Sequence, residues 1–503
     1  MSFVKGSVTY AYGGGRAAAT VVSRRPVCMP LVAAIILAAG LVWGLLYARR
    51  GSLALGAAFV VAASYVLGYN FWNAHVGPLP LTLDRILLVG LVAALVAQWR
   101  WGRLNPKPLS GSDWLLAVLL VILGASTLLA GRPDVQAVEG FSPMWRLVMS
   151  FVVPAMLYWI VRQAPLARRQ WIASLAIISA LGVYLAFTGL AEITGQWSLV
   201  FPRYISDPTL GIHFGRARGP ELNAASLGVY LTVCLWCAWF LRPNVRRGWQ
   251  LVLLTAVPLM ALAIGATLTR STWIGLVASA AVVGCFQLPQ NWRLPLFTIA
   301  ALGGVLVAAA TWNDMIGLQR EGTASESEHS VDQRKSFAYV SWQMFKDNPV
   351  FGVGFSRFYD RKLPYLSDRS QDFELESLRN LHHHNTLLSL LTETGMVGLA
   401  AFLALLAAWA RSAWSLVRDT ELPAWVRSQG LLMLAVLVTY MSSAVFHDLT
   451  LLPSQEWMLF LAAGLTMNLR LGARHAGAAA GGDQEFRVAV AVVDERQPEM
   501  SHS

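Results

Sequence analysis

The strongest constraint on this chain is its recurring apolar runs. They are nearly all 17 to 25 residues long and lie at about 29–46, 52–69, 79–99, 114–130, 145–162, 171–193, 222–241, 248–268, 271–287, 294–311, 386–410, 428–446 and 452–469. At a rise of about 1.5 Å per residue, some 20 such residues match the ~30 Å hydrocarbon core of a bilayer. Lipid gives the backbone no hydrogen-bond partners, so runs of this kind take helical form. With 56% hydrophobic and 13% charged residues over 503 positions, the chain also lacks the polar surface that a water-soluble fold requires. The expected fold class is all-α and polytopic.

Arginine and lysine fall in alternate loops. Arg49 and Arg50, then Arg100, Arg103 and Lys107, then Arg162, Arg168 and Arg169, then Arg242, Arg246 and Arg247, then Arg293, then Arg411, Arg418 and Arg427 mark one side. By the positive-inside rule that side is cytoplasmic, and the net charge of +11 reads as topology with no nucleic-acid partner. Thirteen crossings would place Lys5, Arg16, Arg24 and Arg25 outside, so twelve, with both ends inside, are expected. The organisation is a tail at 1–26 with no cleavable signal peptide, a first helical part at 27–311, an outward loop at 312–384, a second helical part at 385–471 and a polar, disordered cytoplasmic tail at 472–503.

Cys234 and Cys237 resemble a C-x-x-C pair but lie inside the run LTVCLWCAWF, where small buried hydrophobes are the simpler reading. In the outward loop, Phe337, Val340, Met344 and Phe345 recur at helical spacing beside Arg334, Lys335 and Lys346. This pattern predicts an amphipathic helix at the membrane surface. Pro349 ends it, and Gly352 and Gly354 predict a tight, backbone-exposed GVGF turn.

The stretch NLHHHNTLLSLLTETGMVGL, Asn380 to Leu399, joins three consecutive imidazoles to a long apolar helix. Asn385 or Thr386 suits the N-cap. Asn385, Ser389 and Glu393 recur every four residues and place a polar stripe on one face. A carboxylate inside a membrane helix needs a partner or a wet cavity, so Glu393 is either a functional group or one side of a buried bond between helices. Gly395 and Gly398 are expected to let a neighbouring helix approach. Adjacent histidines at a helix start diverge by about 100°, and no H-E-x-x-H spacing is present, so neither a metal nor another cofactor is expected. An imidazole at the water boundary suits a proton acceptor near neutral pH, with His383 turned away and dispensable.

Arg216 and Arg218 stand at the start of another helix, and Arg270 stands at a tight outward turn. Guanidinium groups gathered with histidines on one face suit a diphosphate through paired hydrogen bonds.

RARGPELNAASLGVYL, LTRSTWIGL, NPVFGVGFSRF and HHHNTLLSLLTETGMVGL follow in the order and spacing of the O-antigen ligase and polymerase family, which the chain resembles over roughly 210–470. The most specific part is His382, His384, Asn385, Glu393 and Gly395; where the family often has Ser-Arg-Gly, this chain has Thr269, Arg270 and Ser271. The resemblance implies a GT-C-like glycosyltransferase architecture of about twelve transmembrane helices with one large periplasmic loop in the bacterial inner membrane. It implies transfer from an undecaprenyl-diphosphate-linked glycan donor to a hydroxyl of a glycan or lipid A core acceptor. In that chemistry His384 is the first candidate for the base and His382 the second, with Glu393 next. Arg216, Arg218 and Arg270 stabilise the leaving diphosphate without a metal, while Arg334 and Asn385 line the substrate cleft. The competing readings are a flippase for a lipid-linked sugar and a protein O-oligosaccharyltransferase. Ten runs before the loop and three after it argue against the paired halves common in transporters.

Overall fold

The computed structural model describes residues 46–76, 79–131, 142–293, 324–368 and 373–479, together with positions 44, 295 and 298. Contacts separate a unit ending at Tyr47 from a main body that begins at Ala48, and the body is the subject below. Its helices are α1 (Leu53–Val66), α2 (Leu83–Arg100), α3 (Gly111–Leu129), α4 (Pro143–Gln163), α5 (Arg168–Ile193), α6 (Ala224–Leu241), α7 (Arg247–Ala266), α8 (Arg270–Gln287), α9 (Ala324–Asp347), α10 (Thr386–Arg418), α11 (Ala424–Ala444) and α12 (Pro453–Ala479). Among the described residues, seven are long and apolar enough to cross a bilayer: α3, α4, α5, α6, α7, α10 and α11. This makes the chain a multi-pass membrane protein. The remaining apolar runs that are described form helices too, but α1 has 14 residues, α2 carries Asp84, Arg85 and Arg100, α8 begins on Arg270, and α12 holds Gln455, Glu456 and Asn468. By length and composition alone the described residues therefore stop short of twelve crossings. The run at 294–311, nearly all of the run at 29–46, and the tails at 1–26 and 480–503 lie outside them.

One element departs from all-α. Asn73–Val76 (β1) and Leu79–Thr82 (β2) pair antiparallel, with Asn73 opposite Thr82. Pro78 and Pro80 lack the N–H that a helix needs, so the run expected from 79 becomes helical only at Leu83.

The alternate basic loops meet at one end of the bundle. There Arg162 pairs with Asp113 at 2.7 Å, the Lys107 ammonium donates to Asn468 at 2.9 Å, and Arg168 donates to Asn244 at 3.3 Å. Cys234 and Cys237 are buried along α6, as small core residues.

At the opposite end α4 and α10 both depart from regular helix. Pro154 cannot donate, and α4 widens into a π turn at Val148–Val152. The Met149 carbonyl, which would face the missing N–H, accepts from the Trp457 indole at 3.1 Å. In α10 the break is at Gly395, φ 66° and ψ −165°. The segment from Pro349 to Gly354 fills it: Val353 and Gly354 donate to the Thr392 and Glu393 carbonyls at 3.0 and 2.9 Å, and Met396 and Val397 donate to Pro349 and Val350 at 2.9 and 3.3 Å. A broken helix within membrane depth is tolerated when protein satisfies its freed backbone groups in this way.

Three expectations are corrected here. The GVGF turn is wedged into α10, not exposed: a Cβ on Gly352 would lie 2.4 Å from the Glu393 carbonyl carbon, and one on Gly395 would lie 2.2 Å from the Val350 oxygen. The segment admitted by Gly395 is thus a loop, not a helix, while Gly398 lies against its own Thr394 side chain. The apolar face of α9 covers a core within the outward segment, where Phe337, Val340 and Met344 pack with Phe358, Leu366, Leu375 and Leu378. The face is thus buried by protein.

Candidate active site

Beneath the outward end, Arg146 enters the bundle from α4, 4% exposed. One guanidinium nitrogen donates to both Glu393 oxygens at 3.0 and 2.8 Å. A second donates to Ser389 at 3.0 Å, Asp448 at 2.9 Å and Thr450, and Nε donates to Thr450 at 3.1 Å. The Phe355 ring, delivered by the loop wedged into α10, lies 4.8 Å from the guanidinium carbon. The polar stripe on α10 is thus a set of acceptors for one cation. Burial of so many charges is tolerated because each has a close, hydrogen-bonded partner.

The segment 447–450 connects this cluster to the surface. Thr386 donates through its N–H and its hydroxyl to the His447 carbonyl at 3.2 and 2.9 Å, and its hydroxyl accepts from the Leu449 N–H at 2.9 Å. Asn385 caps α10 by accepting from the Leu388 N–H at 3.0 Å, and its amide donates to the Val445 carbonyl at 2.7 Å. The residues before the helix are therefore held from two sides.

The three histidines have three different settings. His384 is exposed at the surface, its ring 5.0 Å from that of Phe337, and its imidazole has no hydrogen-bond partner among the described residues. Packing around it and then the Arg334 guanidinium hold its pKa below the usual imidazole range, with Asp448 opposing. His382 stacks on Tyr359 at 4.8 Å; burial and the nearby Lys362 push it down to about 4. His383 is 3% exposed and packs at 3.7 Å on Phe358. It points away from the surface because it packs against Phe358 and Phe337 of the loop core. Lys362, fully buried, donates to the Leu381 carbonyl and lies 4.3 Å from the Tyr359 ring, anchoring the run.

Arg334, on α9, interacts electrostatically with Arg270 and His384, and its guanidinium lies 5.7 Å from the Phe446 ring. Arg270 opens α8 and is exposed. Neither arginine has a side-chain hydrogen bond or ion pair among the described residues. Two imidazoles that the sequence reading did not single out belong to the same group. His213, in a left-handed turn with φ 62°, senses the charges of Arg216 and His384, and His447 senses those of His384, Arg334 and His213. Burial pushes both down to about 4, so near neutral pH they add no charge and the arginines carry it.

The expected residues therefore divide. His384, Arg216, Arg270 and Arg334 gather at the end of the bundle opposite the basic loops, with His382 beside them. Arg218 does not share their role: it is 1% exposed and its guanidinium donates to the carbonyls of Leu210, Ile205 and Asp207, which folds the loop after α5. Glu393 and Asn385 are likewise engaged by the protein. No spacing rule marks His213, His447 or Arg146, because each is a single residue whose partners are remote in sequence.

Among the described residues no three His, Cys, Asp or Glu side chains are grouped to hold a metal ion. The chain matches no curated protein sequence. Residues 255–403, from within α7 to the middle of α10, match the family model described as O-antigen ligase, and that match supports the O-antigen ligase/polymerase family.

Proposed function

We propose that the protein transfers a glycan from a prenyl-diphosphate carrier to an acceptor hydroxyl at the periplasmic face of the bacterial inner membrane, without a metal. The observation that carries this reading is an uncommitted imidazole, His384, beside Arg334 and, next to that, Arg270, neither of which has a side-chain hydrogen bond or ion pair among the described residues. The acceptor oxygen attacks the anomeric carbon as its proton passes to the His384 lone pair, and the bond from that carbon to the diphosphate oxygen breaks. The negative charge gathering on the departing diphosphate is met by Arg270 and Arg216, with Arg334 closing from α9. His382, stacked and neutral, is the second candidate for the base. Glu393 and Asn385 act through the position of α10, and we leave Arg218 out of the diphosphate grip.

The gathering of the basic loops at one end of the bundle supports a cytoplasmic assignment for that end and the periplasmic one for the site. Twelve crossings and a GT-C-like arrangement remain part of this reading, with undecaprenyl diphosphate as the carrier and lipid A core or a growing polysaccharide as acceptor. Purified protein given a lipid-linked glycan donor and acceptor distinguishes the alternatives. A transferase releases free prenyl diphosphate; intact donor that has only changed leaflet indicates a flippase and overturns the proposal.

A further inference from the structure

The family match ends at residue 403, and His447 lies beyond it. Its backbone and its ring reach different elements. The His447 carbonyl receives both donors of Thr386, two residues after His384, while Nε2 lies 2.9 Å from the Ser271 hydroxyl, one residue after Arg270. The next residue, Asp448, is gripped by Arg146 at 2.9 Å, so the segment carrying His447 is itself anchored in the bundle interior.

We infer that His447 is a positioning residue for the transfer: it sets the arginine that faces the leaving diphosphate in register with the imidazole that takes the proton. The inference rests on the proposed transferase reading. His447 need not touch substrate. Its ring holds the Arg270 turn through Ser271, and its carbonyl holds the His384 turn through Thr386. Misplacing reacting groups by about 1 Å can cost up to about 100-fold in rate.

The test measures prenyl diphosphate release per folded molecule by reconstituted protein, with acceptor KM and thermal stability followed in parallel. His447→Ala and Ser271→Ala should each lower kcat by about 10- to 100-fold with little change in acceptor KM. The double variant should be no worse than the poorer single one, since both remove the same link. His447→Gln, whose amide still reaches a hydroxyl, should recover most of the rate. Wild-type turnover in His447→Ala, losses that multiply in the double variant, or a Gln variant as poor as the Ala variant would each overturn the inference. A wild type that releases no prenyl diphosphate would sink the transferase reading and this inference with it; an active wild type beside an equally active His447→Ala sinks the inference alone.

Discussion

Two groups of charge lie close together in this molecule in opposite states. Around Arg146 every guanidinium nitrogen donates to a named acceptor, and both facing carboxylates are consumed in that pairing. Around His384, neither the imidazole nor Arg270 or Arg334 has a hydrogen-bond partner among the described residues. Arginine is common to both, and what separates its two settings is saturation. Inside a bilayer a charge survives only when fully paired, and such a charge holds helices together. At the rim water supports an unpaired cation until a ligand replaces it.

Removing a member of the rim should stop the reaction and spare the fold. His384→Ala is expected to lower turnover by about 10²–10⁴-fold, the range for loss of a general base, with unchanged abundance. Assays on equal amounts of folded protein check this, and retained turnover would shift the base to His382. Removing Arg146 should do the reverse. Arg146→Met leaves Glu393 and Asp448 buried without their cation, a loss of about 3–5 kcal/mol that thermal unfolding in detergent would detect. Normal stability in that variant would break the comparison.

Smaller effects sharpen it. Gly352→Ala forces a left-handed residue into contact with the Glu393 backbone, and the backbone conformation alone costs about 1–3 kcal/mol. It should lower melting temperature, and activity only in proportion. Arg334→Gln should change the pH profile most clearly. His384 has to be neutral to accept a proton, and its pKa is already held below the ordinary value of 6.5, so the acid limb of kcat/KM, which reports the free enzyme, lies below that value. Removing a neighbouring positive charge favours the protonated ring, which raises its pKa and moves the limb to higher pH. A limb that stays in place would separate Arg334 from the base.

Much of this could be read from the chain because it depends on local pattern. Hydropathy marks most of the helices, the alternation of arginine marks the basic end, and the run of histidines before α10 marks the candidate site. What could not be read depends on partners hundreds of residues apart. Nothing in the local sequence SPMWRLVMSF marks Arg146, because its acceptors come from 389, 393, 448 and 450. The break at Gly395 is invisible to periodicity because the segment from Pro349 restores the missing hydrogen bonds from outside the helix. Arg216 and Arg218 stand two residues apart and read as one cluster, yet the Arg218 guanidinium ends among the carbonyls of Leu210, Ile205 and Asp207. His383 shows the same limit, since only the loop core, assembled from residues 337 to 378, decides which of three adjacent rings is buried.

The central claim, that saturation separates arginines that fold the protein from arginines that serve the reaction, is tested most directly by one paired measurement. Arg270→Lys and Arg218→Lys are prepared in membranes, folded protein is quantified, and the initial rate of prenyl diphosphate release is taken per folded molecule. A lysine cannot reproduce the two-pronged geometry of a guanidinium. The account predicts that Arg270→Lys folds in normal yield with its rate reduced at least tenfold, roughly the loss of part of an oxyanion contact. Arg218→Lys should lose yield or stability while its folded fraction keeps most of the rate. A wild-type rate in Arg270→Lys, with the loss appearing instead in the folded fraction of Arg218→Lys, would contradict it.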